Sequence, residues 1–301
     1  MMRTKKQANG ESRLATFCIY TVIVLLCALC LYPMYYVLIM SISDPIACAA
    51  HEVFLYPKGF SLEAYAIVGK DMRLWRSYSN TIIYVALTTV LMLLTCVMGA
   101  YPLTSPQLAG KKFVNMFLLL TMYFSGGLIP TYILMTNIGL YDNIWALIIP
   151  GCFSVWYVIL VRSYFASIPE TMREAAKIDG ANNFQILFKL YVPTAKPIIA
   201  VIAIYTIVNV WNSWFNANVY LPNEAIQPLQ LYLRRILVEQ TEDLTSKIMT
   251  IEQAAAAAEK RLTNNQLQYA VIVYATLPLI FTYPFFQKHF AKGVMVGSLK
   301  G

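Results

Sequence analysis

Residues 170–193, ETMREAAKIDGANNFQILFKLYVP, form a polar helix-turn-helix pattern that lies between two strongly apolar parts of the chain. Ser167 stands three residues before Glu170, the spacing of a capping box, and Pro169 suits a first helical turn, so a helix is predicted to begin there. Asp179 and Gly180 then break the helix. A polar hairpin in such a position is typical of a docking surface and not of a catalytic site.

A second short helix is predicted after this turn. Asn182 and Asn183 offer a new N-cap, and Pro193 is expected to end the helix. Its apolar residues recur at helical spacing, which predicts that they share one face; they are Phe184, Leu187, Phe188 and Tyr191.

The composition places the chain in a membrane. Hydrophobic residues make up 58% of the 301 residues, charged residues 13%, and the mean hydropathy is +0.57, values that a soluble core does not accommodate. Six apolar stretches approach the roughly 20 residues that a bilayer requires. We therefore predict an all-α polytopic protein with transmembrane helices near residues 16–42, 80–101, 113–135, 143–161, 197–215 and 267–286.

The first apolar stretch is predicted to be an uncleaved helix, because it is too long for a signal peptide and no small-residue cleavage site closes it. Neither Cys27 nor Cys30 follows the small residue of a lipoprotein signal. The six cysteines lie mostly in or beside apolar stretches, which favours core packing over disulfide formation; they are Cys18, Cys27, Cys30, Cys48, Cys96 and Cys152.

The charges of the loops predict the orientation. With six spans, the tails and the second and fourth loops carry 14 Lys or Arg against four acids, while the opposite side carries nine bases against eleven acids. Lys and Arg concentrate in cytoplasmic loops, so both termini are expected in the cytoplasm. The net charge of +8 is thus a topology signal, and nucleic-acid binding is not expected.

Enzyme and metal chemistry find no support in the sequence. His51 and His289 have no partners at ligand spacing, and the Gly110-Lys111-Lys112 sequence lacks the glycine and hydroxyl of a phosphate-binding loop. No catalytic residue, no metal ligand and no cofactor on this chain are expected, and a nucleotide site would have to belong to another polypeptide. The spans are also nearly free of the ionisable residues that proton-coupled carriers use.

The polar hairpin resembles the EAA motif of ATP-binding-cassette (ABC) importer permeases. Glu174-Ala175-Ala176, Asp179-Gly180 and the later Leu190-x-Val192-Pro193 match its spacing, although Ile and Leu are usual where Leu190 and Val192 stand here. The resemblance implies that the first helix is a coupling helix, which docks on a separate ATPase. The residues implied in coupling are Glu174, Ala175, Ala176, Asp179, Gly180 and Pro193.

Further segments extend the resemblance along nearly the whole chain, including Asn80-Thr81 and residues 125–132, SGGLIPTY. They are similar to the MalG-type subunits of carbohydrate importers, in particular to the LplC and YtcP group of Gram-positive bacteria. This implies a type I importer permease, a second homologous permease, an ATPase dimer that binds ATP and Mg²⁺, and an extracellular solute-binding protein. The C-terminal segment from Phe286 resembles the tail that, in the maltose system, reaches between the ATPases.

Amides and aromatic rings cluster at the outer end of the fifth predicted span. Amides hydrogen-bond hydroxyls without a charge to desolvate, and flat rings pack against a sugar ring, so this cluster is a candidate substrate path. An aromatic belt at the membrane interface explains it equally well. The candidates are Asn209, Trp211, Asn212, Trp214, Phe215 and Asn216, with Asn218 and Tyr220 beyond them.

Breaks are predicted within the spans. Pro33, Pro130, Pro150 and Pro278 each free a backbone carbonyl and kink a helix. The Ser125-Gly126-Gly127 sequence further weakens the third span, which fits either a broken helix beside a pathway or a plain packing kink.

The last external loop, about residues 216–266, is long enough to hold structure, with helical patterns at residues 229–238 and 252–261. Residues 228–237, PLQLYLRRIL, with Arg234 and Arg235, are candidates for docking the binding protein. The alternative is a lid that packs on its own permease.

The sequence thus predicts a cytoplasmic N-tail (1–15), a permease domain (16–286) with a coupling loop (162–197), and a cytoplasmic C-tail (287–301), in the plasma membrane of a Gram-positive bacterium. The predicted function is ATP-driven import of an oligosaccharide or other complex sugar. Two alternatives are an ABC permease for a peptide or amino acid and a stand-alone secondary carrier.

Overall fold

The helices follow the apolar stretches of the sequence. A computed structural model describes residues 11–242 and 266–282, and within them every regular element is helical. Fifteen α-helices are numbered in chain order. They are α1 Glu11–Ile42, α2 Pro45–Ala49, α3 Glu63–Lys70, α4 Met72–Thr104, α5 Lys111–Tyr123, α6 Leu128–Asn137, α7 Trp145–Gly151, α8 Val155–Phe165, α9 Glu170–Ile178, α10 Asn183–Ile186, α11 Val192–Thr194, α12 Lys196–Trp211, α13 Phe215–Tyr220, α14 Leu229–Glu242 and α15 Gln266–Thr282.

Three segments in this described part are long and apolar enough to cross a membrane, namely Ala15–Ile42, Met72–Thr104 and Trp145–Phe165. Two bent pairs bring the number to five, if each pair is one span: α5 with α6, and Asn183–Thr194 with α12. The shorter apolar helix α15 coincides with the sixth predicted stretch. All six predicted stretches therefore contain helices where the structure describes them, although those at 113–135, 143–161 and 197–215 include short non-helical segments.

The chain divides into two compact units, residues 1–70 with 239–274 and residues 71–238 with 275–301. In the first unit, the buried side chain of Gln266 is the central polar contact. Its amide donates to the backbone oxygens of Ser43 (2.8 Å), Ser61 (3.0 Å) and Ser41 (3.2 Å). These bonds fix the start of α15 against the chain that follows α1, because the carbonyls at the end of α1 lack helical partners.

The second unit is built around α4, which packs on α8 and α12. The core contains Cys96 and Ala100 of α4, Val161 and Phe165 of α8, and Ile202 of α12, all nearly inaccessible to solvent. The small residues of α4 allow this close packing, since helix axes approach to 8–10 Å only where side chains permit. Ile186, Leu187 and Tyr191 join the same core, which attaches the polar hairpin to the spans.

The third predicted span is broken, as its Ser-Gly-Gly sequence suggested. α5 ends at Tyr123, α6 begins at Leu128, and the two meet at 112°. Gly127 stands at the break with φ +84°, a left-handed conformation that glycine adopts readily because it has no Cβ. Pro130 then lies in the first turn of α6, where its missing N–H removes no helical bond.

All six cysteines are free thiols. Cys48 and Cys96 are buried, but the expectation of core packing is wrong for Cys18, Cys27 and Cys30, which are exposed. The physical reason is that α1 presents most of its apolar surface outward over residues 15–35, so these thiols have no core to enter within this chain.

Candidate functional site

The first helix of the polar hairpin, α9, begins at Glu170 as predicted, but the predicted capping box is wrong. The Ser167 hydroxyl donates to the Tyr164 carbonyl at 2.7 Å instead of accepting from α9, and the N-cap is Pro169, which has no side-chain cap. Serine often makes this backward bond after a helix. Here it closes the end of α8, and no side-chain hydrogen bond caps the start of α9.

The turn after α9 is a Schellman motif. The Ala181 N–H donates to the Ala176 carbonyl (2.9 Å), and the Gly180 N–H donates to the Lys177 carbonyl (3.0 Å). This pair of bonds requires a left-handed residue after the C-cap, and Gly180 has φ +81°. A Cβ at Gly180 would meet nothing within 4 Å, so the backbone conformation, and not space, selects glycine.

The predicted cap of the second helix is confirmed. Asn182 accepts from the Gln185 N–H (2.8 Å), and the Gln185 side chain accepts from the Asn182 N–H (2.9 Å), which is a reciprocal capping box. Only four residues of α10 follow before the chain widens into a π-helix over Leu187–Tyr191.

The prediction that four apolar residues share one face is wrong. Leu187 and Tyr191 are buried, whereas Phe184 is 65% and Phe188 is 43% exposed. The π-helix changes the angular spacing of the side chains, so a 3.6-residue pattern does not carry across it. Pro193 also does not end the helix: the wider turn relieves crowding by its ring, and helical structure continues to Thr194.

A buried arginine lies within the hairpin, and three aromatic rings join the hairpin to the spans. Arg173 is only 8% exposed and pairs with Glu170 at 2.7 Å. Tyr191 packs edge-on against Phe165 of α8 (5.1 Å between ring centroids) and against Tyr101 of α4 (5.2 Å). Edge-to-face aromatic packing is well ordered, so a displacement of the hairpin has to move these rings with it.

The opposite side of the hairpin is open. Glu174, Ala175, Asp179, Gly180 and Pro193 are exposed, and Ala176 is half-buried. Ala175, Ala176, Asp179 and Gly180 line one depression of about 550 Å³ together with residues from 181–190. The small side chains of this surface leave room for a protruding element of another protein.

A cavity of about 390 Å³ lies among α4, the α7–α8 segment and α12. Two of the predicted path residues, Asn209 and Asn216, line it. Further polar or aromatic lining residues are Tyr84, Phe153, Ser154, Trp156, Tyr157, Thr206 and Ser213. No charged side chain lines this cavity, so its wall offers uncharged hydrogen-bonding groups and aromatic ring faces.

The other predicted path residues lie elsewhere. Trp211 is buried and its indole N–H donates to the Ala275 carbonyl (3.1 Å). Asn212 donates back to the Val208 carbonyl (2.9 Å), and Trp214 packs against Phe215. Of the six predicted path residues, the cavity is therefore lined by Asn209 and Asn216 and not by the other four.

A polar row on α4, for which the sequence predicts no role, fixes residues 225–229 beside this cavity. Asn80 donates to the Ala225 carbonyl (2.9 Å), Thr81 accepts from the Leu229 N–H (2.8 Å), and Tyr84 donates to the Ile226 carbonyl. Polar groups recurring along one face of an apolar helix are a detectable signal, because buried polar groups need partners. Pro228 of the same segment lines the cavity.

Both candidate docking arginines contact their own chain. The Arg234 guanidinium lies 3.5 Å from the centroid of a Trp214 ring, and Arg235 pairs with Glu224 at 2.7 Å. Arg234 is nevertheless exposed. These contacts favour the interpretation of residues 228–237 as a lid, and the predicted helix there is confirmed by α14. The second helical pattern, residues 252–261, lies outside the described residues, as do His289 and the C-terminal segment.

Asp71 links the start of α4 to α14. It accepts from the Arg73 N–H (2.8 Å), from the Arg73 guanidinium (3.2 Å) and from the Tyr232 hydroxyl (2.8 Å). Burial acts to raise the pKa of Asp71, but the hydrogen bonds from Arg73 and Tyr232 outweigh it, so the pKa is lowered. Burial, followed by Asp71 itself, raises the pKa of Tyr232.

No group of three metal-ligating side chains occurs in residues 11–242 and 266–282. His51 has φ +53° at the end of a short turn.

Comparisons with known proteins agree with this architecture. The model of a family described as the inner membrane component of binding-protein-dependent transport systems matches residues 73–296. Protein LplC of Bacillus subtilis strain 168 is 35% identical over 274 residues, which cover 91% of this chain and 90% of LplC. The polygalacturonan/rhamnogalacturonan transport system permease protein YtcP of the same strain is 32% identical over 97% of this chain and 100% of YtcP.

A solved structure is also similar. It is the crystal structure of a bacterial ABC transporter involved in the import of the acidic polysaccharide alginate, in which one chain is 34% identical to this one. The match has a TM-score of 0.83 and covers 96% of this chain and 100% of that chain. At this identity and coverage the likeness extends beyond the arrangement of helices to the sequence itself.

The Asp71 contacts predict a pH-dependent stability. A carboxyl group with a lowered pKa stabilises the fold above its ordinary pKa of about 4, and this contribution is lost as the pH falls through the lower folded-state pKa. We expect Asp71→Asn to reduce stability by about 1 kcal/mol at neutral pH, the order of one charged hydrogen bond, and to have less effect below pH ~4. Thermal unfolding of the purified protein as a function of pH measures this.

Glu63→Gln is the matched control, because it also removes one carboxylate from an exposed helix start but Glu63 makes none of the Asp71 contacts. An Asp71→Asn effect that does not change with pH would contradict the assignment.

Proposed function

Because this chain belongs to the family of binding-protein-dependent transport system inner membrane components, we propose that it is one of two permease subunits of an ATP-driven carbohydrate importer. It is a membrane protein of the ABC-importer permease fold. The observation that carries the proposal is the polar hairpin, which is exposed on one side and joined to the packed spans on the other. The proposal assigns no catalytic residue to this chain.

The substrate class rests on the relatives and on the cavity. YtcP is named for polygalacturonan and rhamnogalacturonan transport, and the solved transporter imports alginate. An oligosaccharide or complex sugar is therefore the class that we propose. The neutral, amide- and hydroxyl-lined cavity supports this, since such groups exchange hydrogen bonds with sugar hydroxyls without desolvating a charge.

Coupling is proposed to run from the hairpin to the spans. Glu174, Ala175, Ala176, Asp179 and Gly180 form the surface that meets a separate ATPase. The Schellman turn fixes the angle between α9 and α10, and the rings of Tyr191, Phe165 and Tyr101 carry a displacement of α10 to α8 and α4. Pro193 lies at the start of α11, just before the 80° bend to α12, where a movement changes direction.

The charge distribution supports the orientation and the partners. With the termini and the hairpin loop (162–197) in the cytoplasm, the hairpin is on the side where ATP is available. We propose that ATP and Mg²⁺ bind to an ATPase dimer and that a second homologous permease completes the path. The sequence offers no phosphate-binding loop of its own.

An extracellular solute-binding protein is proposed to deliver the sugar at the surface formed by residues 221–237. Hydrogen bonds from α4 hold this segment over the cavity, so it acts as a lid. Of the two candidate arginines, Arg234 is exposed and therefore fits the docking hypothesis. Arg235 instead forms an ion pair with Glu224.

Co-purification tests the assembly. A tagged copy, solubilised gently and analysed by mass spectrometry, is expected to retain an ATPase with a phosphate-binding loop and a second permease of six spans. Recovery of the chain alone, with uptake into liposomes that needs no ATP, would identify a secondary carrier and overturn the proposal. An intact assembly that imports peptides or amino acids would overturn only the substrate class.

The Gly180 turn predicts a separation of ATP hydrolysis from uptake. In Gly180→Val, a β-branched residue must adopt φ +81°, at a cost of about 1–2 kcal/mol, so the turn is expected to open and the angle between α9 and α10 to change. We expect the assembled importer to hydrolyse ATP while uptake falls about tenfold or more. Uptake in reconstituted vesicles, divided by ATP hydrolysed, measures the coupling.

Gly180→Asn is the control, because asparagine tolerates the left-handed conformation and space is open there; it should retain most of the coupling. Equal coupling in the valine and asparagine variants would count against the role of this turn.

The cavity predicts that Asn209 and Asn216 affect affinity for the sugar. Replacing Asn209 by leucine removes hydrogen-bonding groups worth about 1 kcal/mol, so the substrate concentration for half-maximal uptake should rise about fivefold. Asn212→Leu is the control, since Asn212 directly follows the same helix and lies outside the cavity. Equal effects of the two substitutions on half-maximal uptake would show that the cavity is not part of the substrate path.

A further inference from the structure

A second cavity, of about 470 Å³, lies on the other side of the hairpin helix α9, against the end of α4. Its volume is in the range of small-molecule sites. One part of its wall is apolar and is made by Met98, Pro102, Leu108, Phe184 and Leu187. The remaining wall is polar, with Tyr101, Ser105, Gln107 and Asn183 beside two basic residues, Arg173 and Lys177.

The two basic residues give this cavity its charge. No carboxylate lines it. Glu170 reaches Arg173 through one nitrogen of the guanidinium, while the buried Nε of Arg173 has no hydrogen-bond partner in the part of the chain that the structure describes. A buried, unpaired donor on a charged group is costly. The guanidinium of Arg173 is thus incompletely hydrogen-bonded beside the cavity.

The cavity is distinct from the surface that we assign to the ATPase. Arg173 and Lys177 stand four residues apart and share one face of α9, whereas Met172, Ala175, Ala176 and Asp179 line the depression on another face. The wall formed by Met98 and Pro102 belongs to the end of a membrane-spanning helix. On the proposed orientation, this end is at the cytoplasmic boundary of the bilayer.

We propose that this cavity binds an anionic phospholipid of the cytoplasmic leaflet, with the headgroup phosphate at Arg173 and Lys177 and an acyl chain along the apolar wall. Basic pockets between spans on the cytoplasmic side favour such lipids. A free phosphate ion uses the two basic residues but not the apolar wall. Because α9 and α10 both line the site, a bound lipid stiffens the hairpin at the turn that transmits the ATPase movement.

Chemical labelling of lysine tests the site in the assembled importer. The complex is placed in nanodiscs of phosphatidylcholine, with or without phosphatidylglycerol, and the acetylation rate of each lysine is followed by mass spectrometry. We expect phosphatidylglycerol to slow the acetylation of Lys177 about fivefold, the effect of one basic residue near an anionic headgroup. Lys112 is the internal control, because it is exposed, does not line the cavity and belongs to the same predicted side.

Lipid retained by the purified complex gives a second readout. Lys177→Gln should reduce the phosphatidylglycerol retained about fivefold, Lys177→Arg should keep it, and Lys112→Gln should leave it unchanged. Lys177 is exposed, so these substitutions do not disturb the core.

Equal slowing at Lys177 and Lys112, or equal retention in Lys177→Gln and wild type, would overturn the site. Protection of Lys177 by inorganic phosphate in phosphatidylcholine discs, equal to that by phosphatidylglycerol, would replace the lipid by a free anion. The proposal uses the membrane orientation of the proposed function, but its failure is separable: an importer that assembles and transports without retaining the lipid refutes this site alone.

Discussion

The bilayer leaves a backbone N–H or C=O no water to bond with, and the architecture of this chain follows from that constraint. Within the described residues, every apolar stretch meets it by forming a helix. Two bends of more than 40° interrupt these helices. The α5–α6 break carries Gly127, and the α11–α12 bend follows the exposed polar hairpin.

Much of this could be predicted from the sequence, because the strongest signals are local. Apolar runs of bilayer length predict the positions of the helices, and the Ser125-Gly126-Gly127 sequence predicts the break in the third stretch. Asn182 with Gln185 formed the second cap, and Gly180 formed the turn. Each of these features depends on a backbone preference that a few neighbouring residues determine.

The errors arose where a residue had two possible partners. Ser167 has the spacing of an N-cap, but its hydroxyl donates a hydrogen bond to the carbonyl of Tyr164 instead. Trp211 is close in sequence to Asn209 and Asn216, but the three residues do not share one site. The indole of Trp211 donates to the Ala275 carbonyl, whereas Asn209 and Asn216 line the cavity. Thr81 and Asn80 gained their partners about 145 residues away, a distance over which sequence spacing carries no information. Long-range hydrogen bonds of this kind become visible only when the helices are packed.

The π-helix at Leu187–Tyr191 has a further consequence for how this loop tolerates change in length. A π-helix contains one residue more than an α-helix of the same extent, and each residue of an α-helix turns the chain by about 100°. Removing a single residue here would therefore leave a regular α-helix of the same extent, with the helices on either side keeping their orientation. Removing or inserting a residue in the regular helix α9 would instead rotate everything that follows by about 100°. Within the hairpin, the π-helix is thus the position at which the chain best tolerates the loss of one residue.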